Sequence, residues 1–201
     1  MSLSTTARSA PPMSTLPCGQ IKPMRTIRSF LTILLCGLFS AGCAAETRPA
    51  VRYEPTAMDV VHAMLLLAKV GPQDVVADLG CGDGRIVIEA VLRQGARGIC
   101  VDIDPRRIAE ARRNAAAAGV AERIEFLNQD LFQTDLKNVT VVMLFLSPDF
   151  NLKLRPKLRS ELASGARVVS HWHSMGDWEP TRTLRMTSDG RERTVYLWTM
   201  P

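Results

Sequence analysis

The stretch Asp78-Leu-Gly-Cys-Gly-Asp-Gly84 carries the strongest fold signal in this chain of 201 residues. It follows the apolar run Val75-Val-Ala77, and apolar residues at helical spacing come directly after it. A strand, a glycine-rich turn and a helix in this order are typical of an open α/β sheet, which binds ligands beyond the carboxyl ends of its strands. Because glycine has no Cβ atom, a ligand can lie directly against such a turn. The stretch therefore predicts a nucleotide-like ligand at a strand end.

Alternating strands and helices continue on both sides of this stretch. Thr56-Ala-Met-Asp59 has the form of a capping box and predicts the start of a helix that ends at Gly71-Pro72. Later strands are predicted at residues 98–101, 124–127, 139–146 and 166–170, with one helix from Asp104 to Gly119 and another at Asn151–Leu162. The last two predicted strands, 183–186 and 195–199, flank the hairpin signal Asp189-Gly190. This order predicts a doubly wound, mostly parallel α/β sheet of the Rossmann-like type with a C-terminal antiparallel hairpin.

Two further aspartates follow the next two predicted strands. Asp102 closes the strand after the glycine-rich turn, twenty positions after Gly82, and Asp130 follows the third strand. A carboxylate at position 102 can accept two hydrogen bonds from a ribose diol. Asp130 is placed to reach the far end of a nucleoside. The order of these residues predicts a cofactor that contains a nucleoside.

A dinucleotide is the competing ligand for this topology. Its G-x-G-x-x-G turn places a pyrophosphate on a helix N-terminus that is free of negative charge. Here the third glycine, Gly84, comes one position early, and Asp78 and Asp83 would repel a pyrophosphate. The same two carboxylates suit a ligand that carries an ammonium and a sulfonium group. The charge pattern therefore favours S-adenosylmethionine over NAD.

These motifs resemble those of the class I (seven-strand) S-adenosylmethionine-dependent methyltransferases. Asp78–Ile88 is similar to their motif I, Val101-Asp-Ile-Asp-Pro105 to their second motif, and Gln129-Asp-Leu-Phe132 to the motif that contacts adenine. Tyr53-Glu-Pro-Thr56 and the basic pattern in Leu152–Leu162 resemble a group of small bacterial methyltransferases with leader sequences. That group is similar to the mitochondrial lysine methyltransferases that act on the ATP synthase c-subunit and the adenine nucleotide translocase.

The resemblance implies S-adenosylmethionine as the cofactor and a protein lysine as the methyl acceptor. Together with the strand-end argument it predicts these cofactor-binding residues: Asp78, Gly80, Cys81, Gly82, Asp83, Gly84, Asp102, Ile103, Asp130 and Leu131, with Tyr53 and Thr56 closing over the cofactor. The candidates for the acceptor side are Ser147, Pro148, Asp149 and His171, and a turn with a helix cap explains residues 147–149 equally well. Methyl transfer depends on alignment of the reactants and on desolvation of the amine, so no catalytic base is assigned.

The charge of the chain is concentrated at its start. Residues 1–45 hold four of the 25 Lys and Arg residues and none of the 20 Asp and Glu residues, which leaves 21 against 20 for residues 46–201. A nucleic-acid partner needs a concentrated basic face, so none is expected. His171-Trp-His173 has no third ligand at usable spacing, and no metal site is predicted. Cys81 and Cys100 are expected to be small packed residues without a disulfide.

Residues 24–45 have the parts of a secretory signal, with a basic start, an apolar core at Phe30–Phe39 and small residues around Cys43. They are predicted to be a signal peptide or membrane anchor, residues 1–23 an upstream extension, residues 46–54 a linker and residues 55–201 the methyltransferase domain. Ala41-Gly-Cys43 resembles the end of a lipoprotein signal, but Ser40 departs from the usual leucine. The expected location is the bacterial periplasm, exported or tethered to a membrane. A mitochondrial presequence is an alternative, and so is the cytoplasm if the leader is not used.

Three functions fit the sequence. The first is methyl transfer to a protein lysine, and the second is methyl transfer to a small molecule. The third is a non-catalytic module that binds S-adenosylmethionine or another nucleoside, since no catalytic base is apparent. Label transferred from the cofactor to a protein, to an extractable small molecule or to neither distinguishes them.

Overall fold

The computed structural model describes residues 53–201, and the predictions for residues 1–52 lie outside the described residues. In this part the chain forms, in order, α1 (Met58–Leu67), β1 (Val75–Leu79), α2 (Arg85–Gln94), β2 (Arg97–Asp102), α3 (Pro105–Ala117), β3 (Ile124–Asn128), β4 (Val141–Leu144), α4 (Pro148–Glu161), β5 (Arg167–His171), β6 (Arg182–Ser188) and β7 (Arg191–Thr199). None of the helices within residues 53–201 has both the length and the apolar character that a bilayer crossing requires.

The strands form one sheet in the order β3-β2-β1-β4-β5-β7-β6. The five strands from β3 to β5 run parallel, whereas β7 lies antiparallel between β5 and β6. The predicted parallel sheet with a C-terminal antiparallel hairpin is therefore confirmed, with the turn at Asp189 and Gly190. The strand order reverses between β1 and β4, and an open α/β sheet leaves its ligand-binding crevice at such a switch point.

Helices cover both faces of the sheet because successive strand residues point to opposite sides. Val76 of β1 packs with Met64 of α1 on one face, whereas the neighbouring Ala77 packs with Leu154 of α4 on the other. All four of these side chains are fully buried. Both faces of the central strands therefore contribute to the core, and only the strand ends remain to form a site.

The predicted capping box at Thr56 is wrong. Helix α1 begins at Met58 after Ala57, and no side chain caps it. The Thr56 hydroxyl instead lies 3.5 Å from Nδ1 of His171, and the Asp59 carboxylate accepts a hydrogen bond of 2.8 Å from the Ser188 hydroxyl. The Thr56 hydroxyl and the Asp59 carboxylate therefore have partners that are distant in the chain, and a local sequence pattern cannot show such partners.

The expectation that Cys81 and Cys100 are free is also wrong, because the structure joins them in a disulfide with 5.4 Å between their Cα atoms. Cys100 of β2 pairs with Asp78 of β1 in the parallel ladder, and Asp78 lies three residues before Cys81 in the chain. The amides of Gly80 and Cys81 both donate to the Val101 carbonyl, at 2.8 and 2.9 Å, which turns the loop back onto β2. Two cysteines separated by 19 residues give no recognisable spacing, and only the strand register brings them together.

We expect reduction of this disulfide to destabilise the domain. A cross-link that closes a loop of this length contributes about 3 kcal/mol by restricting the unfolded chain. For a domain of this size, that free energy corresponds to a fall in melting temperature of roughly 6–12 °C. Thermal unfolding with and without a phosphine reductant measures the difference. A double variant, Cys81→Ala with Cys100→Ala, is the control and should show no response to reductant, and an equal response in both proteins would contradict the assignment.

Candidate active site

A pocket of about 710 Å³ opens at the carboxyl ends of β1, β2 and β4. It lies at the reversal of strand order, where the sequence predicts the ligand. The lining includes ten of the predicted cofactor-binding residues: Tyr53, Thr56, Asp78, Gly80, Cys81, Asp83, Asp102, Ile103, Asp130 and Leu131. Residues that are far apart in the chain thus surround one cavity large enough for a nucleoside with an amino-acid chain.

Gly82 and Gly84 lie outside the lining and act on the shape of the loop. The backbone of Gly84 has a φ of +81°, and a Cβ atom there would lie 2.9 Å from the Cβ atom of Ala111 on α3. This close approach lets α2 start directly after the turn and pack against α3. Both glycines permit the turn that the lining residues form, and their contact with the cofactor stays a prediction.

Asp102 connects the end of β2 to the glycine-rich loop. Its Oδ2 accepts a hydrogen bond of 3.0 Å from the Gly82 amide, and its Oδ1 accepts one of 2.9 Å from the Asp104 amide. A carboxylate oxygen has a second lone pair, so both oxygens can still accept hydrogen bonds from a ligand. The predicted ribose contact is compatible with this geometry, because the two amides fix the orientation of the carboxylate.

Asp78 is the most deeply buried acid of the pocket, with 2% of its surface exposed. Burial, and then the nearby negative charges of Asp102 and Asp83, raise the pKa of Asp78 to about 8. Its Oδ2 has no hydrogen-bond partner among the described residues. A buried polar atom without a partner is costly, and a ligand cation would compensate for it. This orphaned oxygen fits a cofactor that carries an ammonium and a sulfonium group.

Asp83 is paired within the chain. Arg85 donates to both of its carboxylate oxygens, with Nε–Oδ1 and Nη2–Oδ2 distances of 3.0 and 2.6 Å. Burial opposes ionisation of Asp83, but these hydrogen bonds hold the pKa of its carboxyl below the usual range. The sequence argument gave Asp83 the same electrostatic role as Asp78, and the structure assigns that role to Asp78, since Arg85 already neutralises Asp83.

The segment Tyr53–Thr56 lines the pocket, and its closure over the cofactor stays a prediction. The Tyr53 ring lies against Gly82, and the guanidinium of Arg107 stacks 4.2 Å from the ring centre. Arg85 donates from Nη1 to the Thr56 carbonyl at 2.8 Å. Arg85, which belongs to the motif I stretch, and Arg107 thereby hold the segment in place, and sequence reasoning did not give this role to either of them.

The far wall of the pocket is aromatic. Phe145 comes directly after β4 and Phe150 lies in the first turn of α4, where its ring stacks on Phe132 at 6.1 Å. The alternating pattern of strand and helix gave these phenylalanines an ordinary place in the core, so they were missed. A signal existed in their position, because residues that directly follow a parallel strand lie at the ligand-binding edge.

None of the four predicted acceptor-side residues lines the pocket. Ser147, Pro148 and Asp149 do not line the pocket, and they form the start of α4, with Pro148 in the first turn. Ser147 occupies the N-cap position of α4 without a side-chain cap hydrogen bond, and the acceptor-side role of these residues stays a prediction. His171 is also outside the lining: it is 2% exposed and packs behind Phe145, with 4.3 Å between ring centres. Burial, with Arg193 and His173 nearby, lowers the pKa of His171 to about 4, so its imidazole is neutral at physiological pH.

The switch-point pocket, the three strand-end aspartates and the glycine-rich turn define this protein as an S-adenosylmethionine-dependent methyltransferase of the class I fold. Comparison with known sequences gives the family. Residues 78–182 match the ANTKMT methyltransferase domain, and the chain belongs to that family.

Similar proteins support this assignment. A protein-lysine N-methyltransferase of Saccharolobus islandicus is 40% identical over 151 residues, which cover 75% of this chain and 94% of the relative. The adenine nucleotide translocase lysine N-methyltransferase of mouse is 32% identical, and the match covers 71% of this chain and 62% of the mouse protein. A crystal structure described as an RNA methyltransferase from Salinibacter ruber, in complex with S-adenosyl-L-homocysteine, is 50% identical with a TM-score of 0.70, and covers 74% of this chain and 94% of that one.

Proposed function

We propose that this enzyme methylates the side-chain amine of lysine in a protein acceptor. The observation that carries the proposal is the division of the pocket into two parts. Asp78 and Asp102 line the part formed by β1 and β2, whereas Phe145 and Leu146, which directly follow β4, line another part. The first part suits the cationic donor, and neither of the two side chains in the second part ionises. The name of the 40% identical relative supports the same acceptor.

The aromatic wall is suited to the chemistry that an amine requires. When bound, S-adenosylmethionine supplies an electrophilic methyl group, which an uncharged nitrogen can attack in line. A lysine side chain is an ammonium ion in water, and transfer into an apolar pocket favours its neutral form by lowering its pKa. Phe145 and Leu146 provide such surroundings and keep water away from the reacting nitrogen. Alignment then supplies most of the rate enhancement without a dedicated base.

An RNA acceptor is the main rival, because the 50% identical structure is described as an RNA methyltransferase. RNA binding draws most of its affinity from positive charge that neutralises phosphates. Residues 46–201 carry 21 Lys and Arg residues against 20 Asp and Glu residues, close to neutrality. A balanced domain favours a protein acceptor over a polyanion.

The test is an incorporation assay with the purified enzyme, radiolabelled S-adenosylmethionine and separate soluble, membrane and RNA fractions of a cell extract. We expect label on protein, recovered after acid hydrolysis as methylated lysine. Phe145→Ala should lower the rate of incorporation by at least tenfold while leaving cofactor affinity within about twofold. Leu92→Ala removes a half-exposed apolar side chain on α2 outside the pocket and serves as the matched control. Label confined to RNA or to extractable small molecules would exclude the proposal.

We also propose that the domain works after export, either free or tethered to a membrane through its leader. The apolar core at residues 30–39, with basic residues before it, supports this location. The Cys81–Cys100 disulfide supports it independently, because disulfides persist mainly in oxidising compartments such as the periplasm. N-terminal sequencing of the mature protein from fractionated cells tests it. A first residue after position 40 is expected, and an intact leader in the soluble cytoplasmic fraction would overturn it.

A further inference from the structure

The backbone at Trp172 is strained. This residue has a φ of +70°, a left-handed conformation that is a genuine outlier for a bulky side chain. The amide of His173 donates to the carbonyl of His171 at 2.9 Å, so Trp172 is the central residue of a γ-turn. A γ-turn with a positive central φ is the rare and strained form. Glycine would adopt this conformation at no cost, and yet the chain has tryptophan there.

Neighbouring residues hold this turn firmly in place. The Trp172 amide donates to the Thr194 carbonyl at 2.7 Å, which ties the turn to β7. The fully buried side-chain amide of Asn151 donates to the His173 carbonyl at 3.1 Å, and the Ser170 hydroxyl donates to the same carbonyl at 2.6 Å. Backbone strain that several surrounding groups maintain is concentrated at functional positions in proteins. The conformation of Trp172 therefore calls for an explanation beyond folding.

The indole lies beside the aromatic part of the pocket. Trp172 directly follows β5, and Phe145 directly follows the adjacent parallel strand β4. The His171 ring lies between them, with its centre 4.3 Å from the Phe145 ring and 6.1 Å from the Trp172 ring. The three rings form a continuous row from the pocket wall to the surface, where 43% of Trp172 is exposed.

We propose that Trp172 binds the polypeptide segment that carries the acceptor lysine and thereby determines which proteins are methylated. This proposal rests on the function proposed above. Tryptophan is the residue most enriched among those that dominate protein–protein binding energy, because a rigid indole buries a large area at little entropic cost. Arg193 stacks on its ring at 4.6 Å and fixes its orientation. The exposed indole is linked to the pocket wall at Phe145 through the His171 ring, and in this proposal the chain whose lysine enters the pocket passes over it.

The near neutrality of residues 46–201 favours a protein segment over a nucleic acid here as well, although an indole can also stack on a base. The strain itself provides the experiment. Trp172→Gly removes the indole and relieves the backbone, whereas Trp172→Ala removes the indole and keeps the unfavourable φ. The glycine variant should therefore have a melting temperature equal to or above that of the alanine variant.

The acceptor for this experiment is the protein that the wild-type enzyme labels in the incorporation assay. We expect both variants to raise the KM for that protein by about 10- to 100-fold, as loss of a dominant contact does, with kcat within about twofold. Affinity for S-adenosylmethionine, measured by calorimetry, should stay unchanged. Leu66→Ala is the matched control, since Leu66 is 70% exposed and lies at the C-terminal end of α1, whereas the pocket segment Tyr53–Thr56 precedes its N-terminal end. It should change neither parameter.

A second readout does not depend on turnover. Of the three tryptophans, Trp198 is fully buried, Trp178 is partly buried and Trp172 is the most exposed. With S-adenosylhomocysteine bound, addition of the acceptor should protect the fluorescence of the wild-type protein from acrylamide quenching, and Trp172→Phe should lose this protection. An unchanged KM in Trp172→Gly would overturn the proposal, as would loss of stability and cofactor binding together with activity. If the wild-type enzyme labels no protein, the proposed function fails first, before any variant is compared.

Discussion

Replacing Asp102 by alanine is expected to lower the affinity for S-adenosylmethionine by about 10²- to 10⁴-fold. Two hydrogen bonds from a ribose diol to a carboxylate are lost, each worth about 1.5–3 kcal/mol. In the wild-type protein the carboxylate also accepts hydrogen bonds of 3.0 and 2.9 Å from the Gly82 and Asp104 amides, and the substitution removes both. The loop then loses the orientation that the cofactor requires. Isothermal titration calorimetry with S-adenosylmethionine and with S-adenosylhomocysteine measures the effect.

The control for this prediction is Glu122→Ala, which removes an exposed carboxylate in the turn before β3, outside the pocket. It should leave the affinity unchanged, and both variants should retain the circular dichroism spectrum of the wild-type protein. The cofactor affinity of Asp102→Asn should lie between those of Asp102→Ala and Glu122→Ala, because an amide oxygen still accepts a hydrogen bond but carries no charge. An Asp102→Ala protein that binds the cofactor with wild-type affinity would rule out the ribose contact.

The second prediction with a large effect concerns the proton on Asp78. Because burial raises the pKa of Asp78 to about 8, the ligand-free protein carries this proton at neutral pH. The unfolded chain has already lost it above pH 4. The folded state therefore binds one more proton between about pH 4 and pH 8, and the contribution of Asp78 to the free energy of unfolding falls as pH rises through this range. A cationic cofactor reverses the preference, because it favours the ionised carboxyl.

We therefore expect cofactor binding at pH 7 to release close to one proton. The affinity for the cofactor should rise by up to tenfold for each unit by which the pH increases, until the pH reaches about 8. Calorimetry in buffers with different ionisation enthalpies counts the released proton. Asp78→Asn should abolish the release, weaken binding and stabilise the ligand-free protein at pH 8. Asp135→Asn alters an exposed acid outside the pocket and should reproduce the wild-type behaviour. Equal proton release in wild-type and Asp78→Asn proteins would show that another group titrates.

The sequence was sufficient to predict which strand ends form the site, because the motifs that mark those strand ends are local. The glycine-rich turn at residues 78–84 and the aspartates at 102 and 130 each follow a strand, and parallel strands bring their carboxyl ends to one edge. The predicted position of the cofactor follows from the strand order. The sequence also predicted the antiparallel hairpin, since Asp189-Gly190 is a turn signal that needs no tertiary context.

The rest depends on contacts between distant residues. Thr56 looks like a helix cap, but His171, 115 residues later in the chain, takes its hydroxyl. Arg85 and Arg107 hold the segment at the pocket through contacts that no spacing reveals. Phe145 and Phe150 resemble core residues because an apolar wall and a core have the same composition. The Cys81–Cys100 bond likewise exists only once the register of β1 and β2 is known.

The Tyr53 ring that crosses the glycine-rich loop also constrains how this family can change over time. A Cβ atom on residue 82 would lie 2.4 Å from Cε2 of Tyr53, so part of the demand for glycine comes from the chain's own tyrosine. Substitutions at positions 53 and 82 are therefore expected to be correlated among members of the family. A lineage that loses the aromatic ring gains room for a small side chain that tolerates the left-handed backbone, such as asparagine, at the loop. A lineage that keeps the ring in this position keeps the glycine, because a side chain at residue 82 would first have to displace the ring.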